Sequence, residues 1–376
     1  MTLIHQIPLL YLGTMTFGWT QTSSKVTEPI ALEMMNRFID YQSTRLNPDN
    51  DEKTKIYIDT ARIYAGGKTE RILGCTLSKI KSTYKKKNVM LDLKIGTKAH
   101  PSQPHGLSYD GIQSQFQTSL DSMHLSAVDE FYLHQPDTEN SLLESLQKAH
   151  ELVKNNQVTT IGMSNYHVSE VRRAFDLCDE FSLTKPSVYQ GLYNPFNRSV
   201  EKDLFPLLQE HNCAFIAYNP LAAGFLTGKH MRSNLMEDEV QKGRFNNNPN
   251  YLPRFFTHSN FDALDILRES CRKEGISLVE ASFRWLLLHS SLDVEKKDGI
   301  VLGFSSMVQL EENLAGCDAA ATLGPLPQTI VAAFDQAWDL IQEKGAVFPY
   351  WRSYSSDMPN KDNLDHGASY SANKAK

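Results

Sequence analysis

Long apolar runs are missing from this sequence, so it offers no segment with the roughly 20 consecutive apolar residues a spanning helix needs. Its opening Leu3-Ile4-His5-Gln6-Ile7-Pro8-Leu9-Leu10 is too short and too interrupted for a secretory signal. Five scattered cysteines (Cys75, Cys178, Cys213, Cys271, Cys317) form no Cys-x-x-Cys pair and no metal-ligand spacing. That pattern argues against a disulfide framework or a zinc site, and it predicts buried thiols in a reducing, cytoplasmic compartment. Charge of one sign is scarce as well. The net charge is −6 with both signs interspersed, which leaves no footprint for nucleic acid or an anionic membrane. The usual nucleotide loops are absent too. No Gly-x-Gly-x-x-Gly follows an apolar run. Gly67-Lys68-Thr69 has Arg62 where a phosphate loop needs its first glycine, and Gly224 to Lys229 is one residue short and followed by His230.

What is present is alternation. Short apolar or β-branched runs at Leu9–Gly13, Ile56–Asp59, Val89–Thr97, Val128–His134, Val158–Met163, Ser187–Gln190, Ala214–Tyr218 and Gly299–Gly303 predict eight strands. Helical periods separate them: Glu28–Tyr41, a stripe of Ile112, Phe116, Leu120 and Met123, then Leu142–Lys154, Val168–Phe181, Val200–Glu210, Phe261–Lys273 and Leu278–Leu288. Eight strands alternating with helices predict a single (β/α)8 TIM barrel, of a size the chain length allows. We assign residues 1–352 to the barrel and 353–376, rich in Ser, Asn, Asp and Lys, to a mobile tail. Asn219 to Ser259 is too long for a plain connection and predicts a functional loop after the seventh strand.

The chemistry concentrates at predicted strand ends. Ile56-Tyr57-Ile58-Asp59 ends on a carboxylate, Tyr64 follows on the loop, and Gly66-Gly67 releases the chain into a helix led by Lys68-Thr69-Glu70. Lys98 and His134 close the next two strands, so four functional side chains fall on consecutive rims of one barrel mouth, where barrels keep their catalysis. A free phenol titrates near ~10, too high to exchange a proton easily at neutral pH. A neighbouring ammonium favours its phenolate, and a carboxylate holds that ammonium in place. Lys94 shares the strand and the alternation with Lys98, but it lies towards mid-barrel.

The run from Ile56 to Gly74, with Thr97-Lys98-Ala99 and His134, resembles the signature of the aldo-keto reductases, and most closely their aflatoxin-aldehyde and succinic-semialdehyde reductase branch. The likeness extends from about Leu12 to Arg352. It implies Tyr64 as general acid, Lys98 as the residue that lowers its pKa, Asp59 as the partner of Lys98, and His134 as the group that orients the substrate carbonyl. It implies NADP(H) as cofactor. Ser164, Asn165 and Gln190 would hold the nicotinamide carboxamide and Tyr218 would stack on its ring. Asn219, Pro220, Leu221, Gly224, Leu226, Gly228 and Lys229 would form the pyrophosphate loop. Gly303, Ser305, Ser306, Gln309, Glu312 and Asn313 would receive the adenosine end. Gly303 and Gln309 stand where many of these reductases carry cations for the 2′-phosphate; Ser305, Ser306 and Arg244 could donate instead. Tyr251, Arg254 and Arg352 match substrate-pocket positions, where guanidinium suits a carboxylate-bearing aldehyde. The branch forms homodimers, so the resemblance implies one here. Two alternatives stay open: a cofactor-binding sensor like the potassium-channel β-subunits, and a barrel glycosidase, which would need a second well-placed carboxylate besides Asp59.

Overall fold

Every strand pairs in parallel with the next in the chain, and the last pairs with the first, so the sheet closes without a free edge. In the computed structural model, which describes residues 5–20, 22, 24–46, 53–232, 245 and 251–368, the strands are β1 (Leu9–Gly13), β2 (Thr54–Asp59), β3 (Leu91–Ala99), β4 (Val128–Leu133), β5 (Val158–Ser164), β6 (Val188–Leu192), β7 (Ala214–Tyr218) and β8 (Gly299–Leu302). Helices α1 (Glu28–Leu46), α2 (Lys68–Lys86), α3 (Tyr109–Met123), α4 (Leu142–Lys154), α5 (Val168–Glu180) and α6 (Val200–Glu210) each follow one of the first six strands. After β7 come α7 (Leu252–Phe255), α8 (His258–Glu274) and α9 (Leu278–Leu288), and after β8 come α10 (Met307–Leu323) and α11 (Gln328–Glu343). This is the (β/α)8 barrel that the alternation predicts.

Local chemistry explains the helix starts. Ser108, Thr257, Ser277 and Ser306 each accept a backbone N–H from three residues on, at the N-termini of α3, α8, α9 and α10. Gly275 ends α8 in the left-handed region, where it bears no Cβ penalty. The main core lies between strands and helices, while a smaller cluster of Tyr11, Tyr132, Val188, Ile216 and Val301 fills the barrel itself.

Three expectations change in detail. α1 runs to Leu46 rather than Tyr41, because Gln42 and Ser43 are buried despite their polarity. β3 continues through Lys98 to Ala99, since its ladder with β4 holds from Gly96 opposite Glu130 to Ala99 opposite Leu133. Cys75 is exposed on α2, whereas the other four cysteines are buried as expected. Among the described residues, no helix is long and apolar enough to cross a membrane, and no cluster of His, Cys, Asp and Glu could hold a metal ion.

Residues 353–368, assigned from composition to the tail, are tied to the barrel by polar contacts. Ser355 Oγ donates to the buried Glu170 at 2.6 Å, and Ser356 N–H donates to Asp137 O at 3.0 Å. Asp357 pairs with Arg173 and caps α4 by accepting from Ser141 Oγ and Leu142 N–H. The same polar residues that suggest mobility are the ones that make these bonds.

Close packing inside the barrel depends on Gly162. A Cβ there would lie 2.2 Å from the ring of fully buried Tyr132. Gly162→Ala is therefore expected to cost about 1–3 kcal/mol by overpacking. Denaturant unfolding checks this, and an unchanged midpoint would contradict it.

Candidate active site

The loop that carries Tyr64 is built by its neighbours. After β2 the chain is held by Thr60 N–H donating to Gly96 O and Arg62 N–H donating to Lys98 O, which lays the loop across the end of β3. Arg62 then pairs at 2.7 Å with buried Glu70, whose other oxygen accepts from Thr97 Oγ1 at 2.8 Å. Gly67 adopts φ +84°, and a Cβ on it would strike the Arg62 guanidinium at 2.3 Å. The left-handed backbone favours glycine there, and a side chain would displace the guanidinium. Glu70, at the start of α2, is thus an anchor of this loop as well as a helix-leading acid.

Two of the four expected catalytic side chains are bonded directly, and the other two stand beside them. Lys98 Nζ is buried and bound to Asp59 Oδ1, and it also donates to Thr60 O at 3.0 Å. Gln190 Nε2 donates to the same Asp59 oxygen at 2.8 Å. The ammonium lies 5.9 Å from the centroid of the Tyr64 ring. His134 meets that ring edge-on, with centroids 5.8 Å apart. Asp59, Tyr64, Lys98 and His134 thus stand together at the C-terminal mouth, as expected. Lys94 does not: it sits between Asp92 at 3.0 Å and Asp129 at 3.1 Å.

A second imidazole, unanticipated from sequence, shares the mouth. His100 meets His134 edge-on at 5.1 Å. Its Nδ1 accepts the backbone N–H of Ser102 at 3.0 Å, so its proton sits on Nε2. Burial pushes the His100 pKa down to about 4, against a hydrogen bond that the ring donates to Gln135, which raises it, and the charge of Arg352 lowers it further. Burial likewise holds His134 well below its ordinary value, assisted by His100, Lys98 and Arg352. Among the described residues, buried His134 Nδ1 has no hydrogen-bond partner. An unmet acceptor is less costly than an unmet N–H, which favours the Nε2–H tautomer.

Beside the tetrad, Asn165 is fixed on three sides. Its amide nitrogen donates to His134 O and Ser164 Oγ, each at 2.9 Å, while its oxygen accepts from Tyr218 Oη at 2.7 Å. Since Gln190 uses its nitrogen on Asp59, its carbonyl oxygen is left as an acceptor. The loop from Asn219 through Pro220 and Leu221 to Lys229 folds as a short 3-10 segment, Ala222–Thr227, broken by left-handed Ala223 and Gly224. Leu226 is buried in the core. Arg268, another residue missed from sequence, braces this loop by donating to Gly228 O and His230 O, both at 2.7 Å. At the start of α10, Ser305 N–H donates to Gln309 Oε1 at 2.7 Å and Asn313 donates to Gly303 O at 3.1 Å, while Glu312 is exposed. Arg244 lies outside the described residues.

The two candidate substrate arginines are held by different contacts. Arg352 N–H donates to Asn165 O at 3.0 Å, its side chain bonds to Tyr218, and burial lowers its pKa to about 10. Arg254 is buried with its guanidinium 4.8 Å from the Phe348 ring centroid, next to Tyr251 and Leu252 at the start of α7.

A closed barrel with a lysine–carboxylate pair at its mouth defines a TIM-barrel protein with a built polar site. The model of the Aldo/keto reductase family matches residues 9–339, and the chain belongs to that family of oxidoreductases. It is 36% identical over 291 residues to aflatoxin B1 aldehyde reductase member 2 of Rattus norvegicus, covering 76% of each chain. It is 35% identical over 321 residues to aldo-keto reductase family 7 member A3 of Homo sapiens, covering 83% of this chain and 93% of the relative. To oxidoreductase sirO of Leptosphaeria maculans it is 30% identical over 346 residues, covering 91% and 97%.

The electrostatics of the mouth carry a prediction. Because protonation of either imidazole is disfavoured, both stay neutral from about pH 6 to about pH 8. Nitrogen-15 NMR of labelled histidines should find two rings without an imidazolium signal across that range, identified by their loss in His100→Asn and His134→Gln. An imidazolium at either position near neutral pH would contradict the assignment.

Proposed function

We propose that this protein reduces aldehydes to alcohols with NADPH, with Tyr64 as the proton donor. The observation that carries the reading is Lys98, bound to Asp59 and lying beneath the Tyr64 ring with His134 edge-on to it. The ammonium favours the developing phenolate as Tyr64 releases its proton to the substrate oxygen. His134, neutral and protonated on Nε2, donates a hydrogen bond to the same oxygen and fixes its direction. Aflatoxin B1 aldehyde in the names of the relatives supports an aldehyde as substrate.

The residues present fit a dinucleotide. A Cβ at Gly303 would meet nothing within 4 Å, and one at Gly224 would meet only the end of the Lys229 side chain at 3.7 Å. Both loops therefore offer backbone that a ligand can approach closely. Ser164, Asn165 and the Gln190 carbonyl oxygen would hold the carboxamide, and Tyr218 would cover the ring. The loop from Asn219 to Lys229 would take the pyrophosphate. Ser305, Ser306 and the N-terminus of α10, with Arg244, would take the 2′-phosphate. NADPH supplies the hydride when bound. Self-association into a dimer and a cytoplasmic site of action belong to the same reading.

Tyr64→Phe tests the reading. NADPH binding, followed by fluorescence titration, should persist and exceed NADH binding by about tenfold, the worth of a charge-assisted contact. Aldehyde turnover should fall by about 10²–10⁴-fold. Turnover within threefold of wild type would show that Tyr64 is not the acid, and would reopen the sensor alternative if the wild type is equally slow.

Substrate choice follows from Arg352, whose charge reaches both imidazoles. We expect aldehydes bearing a carboxylate, such as succinic semialdehyde or 2-carboxybenzaldehyde, to show lower KM than uncharged analogues, because guanidinium pairs a carboxylate in two parallel bonds. Arg352→Ala should raise KM for the acids roughly tenfold or more and spare neutral aromatic aldehydes. Arg254→Ala should act in the same direction. Equal losses on acid and neutral substrates would mean the arginines do not read charge.

A further inference from the structure

The barrel interior is divided. On the β6 to β8 side it is lined by Val188, Ile216 and Val301. On the β1 to β4 side, beneath the tetrad, stands the buried carboxylate of Glu130. One of its oxygens accepts from Tyr11 Oη at 2.9 Å and the other from Tyr132 Oη at 2.6 Å. The Tyr57 ring packs on Tyr11 with centroids 4.8 Å apart. Two glycines leave room for this cluster: a Cβ on Gly96 would lie 3.1 Å from Glu130 Oε2, and one on Gly162 would enter the Tyr132 ring. An aliphatic side chain could fill the same space without removing a carboxylate from water.

Tyr132 links this carboxylate to the mouth. Lys98 Nζ lies 5.0 Å from the centroid of the ring whose hydroxyl donates to Glu130. A cation over a ring face is attracted to it, and a phenol bonded to a carboxylate is the more electron-rich. We propose that Glu130 is a positioning residue for the proton donor: its carboxylate holds Tyr132 against Lys98 and adds a second negative charge beneath the Lys98–Tyr64 pair. The inference rests on the roles given to Tyr64 and Lys98 above.

The groups that face this pair come from every neighbouring strand. Asp59 stands on β2, Tyr132 and Glu130 on β4, Tyr11 on β1 and Tyr57 on β2, with His134 and Arg352 at the mouth and the neutral Gln190 on β6. The residues from β7 and β8 are uncharged. Burial pushes the Glu130 carboxyl up, while the two phenols and Lys98 draw it down and Asp59 raises it.

The sign is set by charge alone. Removing an anion makes each nearby group lose its proton at lower pH. In Glu130→Gln, the alkaline limb of kcat/KM for aldehyde reduction should therefore move down by about one pH unit, the effect of a unit charge at roughly 10 Å in an effective dielectric of ~20. NADPH affinity should stay within threefold of wild type. A purely structural Glu130 would lower the melting temperature and leave the limb in place, which overturns the proposal. Should Glu130→Gln fail to fold, carboxyl carbon-13 NMR of glutamate-labelled wild type decides, with Glu130 identified by the resonance that moves in Tyr11→Phe. An ionised Glu130 at pH 8 supports the proposal and a protonated one overturns it. If Tyr64→Phe is inactive and the Glu130→Gln limb is unmoved, this inference alone falls; if Tyr64→Phe keeps turnover, the reading beneath it falls.

Discussion

The buried pair between Lys98 and Asp59 is the constraint on which the rest of the mouth depends. An ammonium removed from water is costly unless it is paired and its remaining donors are met. Here Asp59 and Thr60 O meet two of its three donors, and Gln190 shares the carboxylate. The closed sheet makes this possible. The β2–β3 register sets Asp59 opposite Gly96, two residues before Lys98, so both side chains reach the same end of the barrel. Loop geometry then follows from the ends of the same strands, because Arg62 N–H is held by Lys98 O and Glu70 is held by Thr97. Tyr64 is therefore placed by the same two strands that place the charge beneath it.

Arg352 acts on both imidazoles of the mouth and Lys98 on that of His134, rings already stripped of water. Cations and burial push in one direction, towards neutral rings. A neutral imidazole is a hydrogen-bond donor without being a rival proton source, which accords with the proposed role of the phenol as the acid. Arg352 is itself fixed through its backbone to Asn165, the residue whose amide also holds His134 and Ser164. Arg352, the His134 imidazole and the end of β5 are thus mechanically linked.

Much of this was legible in the sequence because strand ends are marked by an abrupt change from apolar to functional residues. Asp59, Lys98 and His134 each close such a run, and the alternation of runs with helical periods gives the barrel. What was hidden has physical reasons. Glu130 follows Asp129, and two adjacent acids read as a solvated edge. Only the β3–β4 register reveals that Asp129 binds Ile95 N–H while Glu130 turns into the barrel. His100 lies one residue past β3, where its role depends on the facing strand and not on its own neighbours. Arg268 reaches the loop after β7 from a helix about 40 positions on, a contact no local pattern encodes. The helix expected to end near Tyr41 runs on to Leu46, with Gln42 and Ser43 buried.

The central claim is that the buried Lys98 charge enables the phenol to donate a proton. Lys98→Met keeps the unbranched stem of the side chain and removes the charged terminal nitrogen. Single-turnover reduction of an aromatic aldehyde by this variant, with NADPH binding measured on the same sample, tests the claim most directly. The account predicts that NADPH still binds while the rate of alcohol formation at neutral pH falls by about 10²-fold or more. A variant that binds NADPH and forms alcohol at the wild-type rate would contradict it.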